Sequence, residues 1–143
     1  MTTRTLPLAL ATAAALTLAG CGSGAAVTTA APAAAPAARA GEYVDYHAWS
    51  SNLAAHQNTD TVLFFHAPWC PDCRATEASI DQDGVPAGLT VVKVDYDSMT
   101  DLKQKYGITQ QHTFVKIDGH GNLVAKWTTS FTGADIKAKA DAA

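Results

Sequence analysis

Residues 61–66, Thr-Val-Leu-Phe-Phe-His, form an apolar run without alternation. A parallel strand covered on both faces requires such a run. It ends at Ala67-Pro68-Trp69-Cys70-Pro71-Asp72-Cys73. A strand that stops at a proline and restarts as a helix places its first cysteine at the helix N-terminus. Unpaired N–H groups and the positive end of the helix dipole converge there. Thiols in such positions ionise more readily, and the thiolate is the nucleophile of disulfide exchange. Pro71 falls in the first helical turn, where its missing N–H costs little. The spacing therefore points to a thiol–disulfide site at Cys70 and Cys73.

The surrounding pattern alternates strands and helices. Glu42-Tyr43-Val44 reads as a short edge strand, and Tyr46 to His56 as a helix with Tyr46, Trp49 and Leu53 near helical spacing. The helix after Pro71 runs to about Ile80 and ends before Asp83-Gly84-Val85-Pro86. Leu89 to Asp95 is a second buried strand. Ser98 and Asp101 resemble a capping box, Leu102 and Tyr106 share one face of the next helix, and Gly107 suits its C-terminal cap. Thr113 to Ile117 and Asn122 to Trp127 are strands joined through Asp118-Gly119-His120-Gly121, a hairpin by composition. Thr132 with Asp135 starts a last helix whose apolar face, Ile136 and Ala140, is weak. The order is β-α-β-α-β-α-β-β-α, with parallel pairing among the early strands and an antiparallel edge at the late hairpin.

The first forty residues are of another kind. Arg4 and an apolar stretch from Leu6 to Leu18 read as an export signal over residues 1–20, too short for a transmembrane span. Leu18-Ala19-Gly20-Cys21 resembles a bacterial lipobox, which implies lipidation of Cys21 and cleavage before it. That accounts for the odd one of three cysteines. Residues 21–41, rich in Ala, Pro and Thr, read as a tether, leaving a working domain over 42–143. The net charge of −3 and the lack of a basic block argue against nucleic-acid binding.

Over residues 42–140 the domain resembles the thioredoxin family. Phe65 to Cys73 is similar to its active-site segment. Val92-Lys93-Val94-Asp95, Lys105-Tyr106-Gly107-Ile108 and Phe114-Val115-Lys116-Ile117-Asp118-Gly119 follow as later landmarks in the right order. A single C-x-x-C also occurs in zinc sites, but no second one completes a four-cysteine set. The resemblance implies an α/β thioredoxin fold with a mixed four- to five-stranded sheet flanked by helices. It implies a thiol–disulfide oxidoreductase with no cofactor beyond a Cys70–Cys73 disulfide. Cys70 would be the exposed attacking thiolate and Cys73 the resolving thiol, with Trp69 and Pro71 flanking the sulfur. With the signal, this describes a monomeric domain at the cell membrane, on its extracytoplasmic side. It would exchange disulfides with envelope proteins and draw electrons from another protein or a small thiol.

Two residues depart from the family pattern. Phe64 stands where a buried acid lies beneath the cysteines, and His112 stands where a cis-proline faces them. A cis bond before a non-proline residue costs about 2.5–4 kcal/mol, so a trans peptide with an altered groove is the competing expectation. Either way an imidazole would approach Cys70 and Cys73. It would hydrogen-bond locally, tune the redox pair, or complete a Cys70, Cys73 and His112 metal site for copper, zinc or a shared iron–sulfur centre. A non-catalytic docking domain is a further alternative. Asp72 opposes a thiolate and argues for a reducing protein, while His112 and the helix dipole argue for an oxidising one. Arg74 reads as solvent-facing, and His66 as packed near the active-site strand. His47, His56 and His120 read as surface or loop residues, and Trp49 and Trp127 as packing residues.

Overall fold

The computed structural model describes residues 39–143. The expected signal, Cys21 and the tether up to residue 38 lie outside the described residues. Residues 39–41 already lie against the domain. The Arg39 carbonyl accepts the Gly88 N–H at 2.7 Å, and a Cβ on Gly41 would meet the Val85 carbonyl oxygen at 2.0 Å.

The elements follow the expected order. They are β1 (Glu42–Asp45), α1 (Tyr46–Ser51), β2 (Asp60–His66), α2 (Pro71–Asp83), β3 (Leu89–Asp95), α3 (Thr100–Tyr106), β4 (Thr113–Ile117), β5 (Leu123–Trp127) and α4 (Gly133–Asp141). The helix expected from Tyr46 to His56 is broken. It stops at Ser51 and continues as a 3₁₀ turn, Leu53–His56, because Asn52 leaves helical geometry at φ −142° and ψ 53°.

The five strands form one mixed sheet in the order β1-β3-β2-β4-β5. β3 pairs in parallel with β1 and β2, whereas β4 is antiparallel to both β2 and β5. The antiparallel part therefore begins one strand before the hairpin. The short α3 ends at Gly107 in the left-handed region (φ 60°), and the chain then returns alongside β2 in the reverse direction. The Ser98 capping box does not form. Met99 caps α3 without a side-chain bond, while Asp95 Oδ1 accepts the N–H groups of Asp97 and Ser98 at 2.8 and 3.0 Å. At α4 the expected box is present, with Thr132 and Asp135 each accepting from the other's backbone.

Alternation in β2 separates two apolar layers. Val62 and Phe64 face Cys70, Cys73 and Ile80 of the α2 segment and Ile136 and Ala140 of α4. Leu63 and Phe65 face Tyr106 of α3, with Tyr46 and Trp49 of α1 packed behind. Phe64 stacks on Phe114 at 4.6 Å between centroids, and Phe114 on Trp127 at 5.9 Å. Phe64 and Phe114 are fully buried, and each contributes about 1.5–3 kcal/mol. Ile136 and Ala140 are fully buried, so the weak face of α4 suffices to seal the sheet. The sequence motif thus sits at the end of a central strand held on both sides.

Candidate active site

β2 delivers the chain to the motif, and α2 begins immediately after it. Cys70 is the N-cap of α2, in extended geometry (φ −80°, ψ 120°), with Pro71 in the first turn. Its Sγ accepts the Cys73 N–H at 3.3 Å, occupying a helix-start donor as a capping oxygen would. Both cysteines are free thiols. Cys73 is fully buried, and its thiol is pushed up to about 12. Burial is the main cause and the Cys70 side chain adds to it, while backbone groups at Ala67 and His112 work in the opposite direction. Cys70 is more covered than expected, at 4 % exposure, because it caps the helix with its sulfur turned inward.

Trp69 is 55 % exposed, and its indole N–H donates to Asp97 Oδ2 at 2.9 Å, holding the ring at the surface beside the cysteines. The β3 end that supplies this anchor is fixed in turn by Asp95. The Ser98 N–H bond, joined by the Asp97 N–H, holds the Asp95 carboxyl below its usual range against the opposing effect of burial. Pro71, Asp72 and Arg74 are exposed.

Phe64 is fully buried beneath the cysteines, so no carboxylate lies at that position. A polar cluster on the same layer was not anticipated from the sequence. Glu77 of α2, four residues beyond Cys73, bonds Lys93 Nζ at 2.5 Å and accepts the Tyr43 hydroxyl at 3.1 Å. His66 Nε2 lies 3.1 Å from Glu77 Oε2, close enough for an ion pair but off the line of a hydrogen bond. Burial would raise the Glu77 carboxyl, yet Lys93, His66 and Tyr43 together hold it below its usual range. Burial lowers the His66 imidazole, with Glu77 pulling it upward. The i, i+4 spacing of Cys73 and Glu77 was a legible signal. The meeting of Glu77 with His66 of β2 and Lys93 of β3 was not.

The Gln111–His112 peptide is trans, since no cis bond occurs among the described residues. His112 takes a left-handed backbone instead (φ 59°), its N–H donating to the Phe65 carbonyl at 3.0 Å. The side chain is buried, and burial lowers the imidazole's pKa while Asp72 opposes the shift. Its nitrogens face Thr76 Oγ1 at 2.9 Å and the Thr128 carbonyl at 3.1 Å. The His112 backbone acts on the Cys73 thiol, while both ring nitrogens are engaged by Thr76 and Thr128 rather than by a sulfur. With both nitrogens taken, Cys70, Cys73 and His112 are not assembled as metal ligands. No group of three His, Cys, Asp or Glu residues suited to a metal occurs among the described residues.

The other histidines divide. His47 and His120 are exposed as expected, but His56 is buried, with Nδ1 3.1 Å from Glu42 Oε2. The 3₁₀ turn carries it inward. Trp127 packs as expected and also donates from Nε1 to Ser130 Oγ at 2.9 Å.

The thioredoxin family model matches residues 42–142. A thioredoxin-like protein of Fusarium culmorum is 33% identical over 81 residues, covering 54% of this chain and 67% of the relative. Thioredoxin-1 of Drosophila melanogaster is 29% identical over 93 residues, covering 64% and 79%. The crystal structure of Schistosoma mansoni thioredoxin superposes with a TM-score of 0.53 at 25% identity, covering 71% of this chain and 92% of that one.

Proposed function

The chain belongs to the thioredoxin family and is a thiol–disulfide oxidoreductase, and on that premise we propose that Cys70 and Cys73 are its redox pair. The observation that carries this reading is the Cys70 sulfur at the tip of α2, accepting the Cys73 N–H at 3.3 Å. In the reducing direction the Cys70 thiolate attacks one sulfur of a protein disulfide. A new S–S bond forms, and the partner's other sulfur leaves as a thiolate and takes up a proton. Cys73 then gives up its proton and attacks Cys70 Sγ. The mixed disulfide breaks, and the second partner sulfur leaves and is protonated. Two electrons and two protons have passed to the partner, and Cys70–Cys73 has become a disulfide. Run backward, the same steps oxidise a partner dithiol, and no other cofactor is needed.

Trp69, Pro71 and Asp72 form the exposed rim that a partner meets. Support for this is their position around Cys70 and the 55 % exposure of Trp69. Trapping tests the pair directly. A Cys73→Ser chain should accumulate a mixed disulfide through Cys70, and the wild-type chain should reduce insulin in the presence of dithiothreitol. Absence of both outcomes would refute the assignment.

The same reading places the domain over 42–143 outside the cytoplasm. It is held at the membrane by a lipid on Cys21 and acts as a monomer on thiols and disulfides of envelope proteins. The support lies in the sequence: Arg4, the apolar stretch to Leu18 and Leu18-Ala19-Gly20-Cys21. Labelled fatty acid should enter the wild-type chain and not a Cys21→Ala chain. Equal labelling of both would remove the anchor.

A further inference from the structure

Behind Cys73, one side chain joins α2 to the loop between β5 and α4. His112 Nδ1 lies 3.1 Å from the Thr128 carbonyl, and because a carbonyl only accepts, Nδ1 carries a proton. In the neutral ring Nε2 is then an acceptor, and it takes the hydroxyl proton of Thr76 at 2.9 Å. The Ser130 carbonyl also faces that hydroxyl, at the longer distance of 3.3 Å. Thr76 is fully buried and lies three residues beyond Cys73, on the same side of α2. The ring is boxed by Phe64, Phe114 and Phe131 at 5.8, 5.2 and 5.0 Å between centroids.

The backbone at this point is strained. Among the described residues His112 is the one non-glycine residue with positive φ. Such a conformation persists where the surroundings over-determine it. Here they do so from two sides, through the N–H bond to Phe65 and through the clamped ring.

We propose that His112 is a positioning residue for the dithiol. The clamp between Thr76 and Thr128 holds the left-handed backbone in place behind Cys73, the sulfur that must reach Cys70. Phe64, whose ring meets that of His112 at 5.8 Å, packs in one cluster with Cys70 and Cys73, and Thr76 sits on α2 beside Cys73, so a displacement of residue 112 is felt at the dithiol. The device spans 36 positions between Thr76 and His112 and links the chemistry to a loop that never touches it in sequence.

The inference rests on the Cys70–Cys73 assignment and is tested in the full chain by redox equilibrium with reduced and oxidised glutathione. Thr76→Val leaves Nε2 without its donor and should move the equilibrium constant by at least about threefold, as expected for one buried hydrogen bond made unequally in the two redox states. Thr76→Ser, which keeps the hydroxyl, should restore it to within about 1.5-fold of wild type. His112→Asn tolerates the left-handed backbone but is too short to reach Thr76, and should shift the constant in the same direction as Thr76→Val. Wild-type values in folded Thr76→Val and His112→Asn chains would overturn the proposal and leave the link purely structural. If Thr76→Val does not fold, His112→Asn decides alone. A wild-type chain with no glutathione equilibrium at all would refute the redox pair instead.

Discussion

Glu77 Oε2 stands 3.1 Å from His66 Nε2, one helical turn beyond Cys73, on the layer where Phe64 fills the space beneath the cysteines. Among the described residues, Glu77 is the anion that His66, Lys93 and Tyr43 share. Removing it leaves two basic groups facing each other and a tyrosine hydroxyl without an acceptor. Glu77→Ala should therefore destabilise the domain by about 1–3 kcal/mol, with Glu77→Gln milder because it still accepts a bond. The urea midpoint measures this, and an unchanged midpoint in Glu77→Ala would show the cluster to be energetically idle.

The thiols should be distinguishable by alkylation. With its thiol pushed up to about 12 by burial and no exposed surface, Cys73 stays protonated and shielded at pH 7. Limited iodoacetamide treatment of the reduced chain should label Cys70 first, with Cys73 labelled only after denaturation. Peptide mass spectrometry reads the order. Equal labelling of both under native conditions would contradict the buried thiol.

Stability should fall on both sides of neutrality. His66 and His112 are held below their usual range chiefly by burial, so the folded chain binds fewer protons than the unfolded one. Their contribution is fully present above about pH 6.5 and is lost as pH falls through their folded values. Asp95, held low by the Ser98 N–H, acts in the same direction at more acid pH. Cys73 does the reverse. Its raised value favours the fold below about pH 9, and that contribution is lost as pH rises toward 12. Thermal midpoints across this range should be highest near neutral to mildly alkaline pH. A midpoint that increases from pH 7 to pH 5 would contradict these assignments.

Backbone strain at His112 can be separated from its ring. His112→Ala and His112→Gly both lose the bonds to Thr76 and Thr128, but only glycine occupies φ 59° freely. The glycine variant should be the more stable of the two by about 1 kcal/mol. Equal stabilities by chemical denaturation would mean that the backbone relaxes when the ring is removed.

Local pattern carried much of the architecture. Unalternating apolar runs marked β2 and β3, the Thr132–Asp135 box marked α4, and Gly107 marked the end of α3. Each depends on residues adjacent in sequence or one turn apart. Two departures from that pattern are local, at Asn52 and at the Asp95–Ser98 turn, where short polar residues offer the backbone competing geometries.

Local pattern in the chain suffices for the set of elements, their order and the place of Cys70 and Cys73 at a strand-to-helix junction. Periodicity, proline and glycine act over a few residues, and one chain suffices to read them. The tertiary structure alone decided that β4 enters antiparallel beside β2, that Cys70 turns its sulfur inward and that His56 is buried. Tertiary packing also brings the His112 ring to Thr76 and Thr128 and Glu77 to His66 and Lys93. Those contacts join residues far apart in the chain. Which side chains meet there is set by how two helices settle on one sheet face, a relation that no local periodicity encodes.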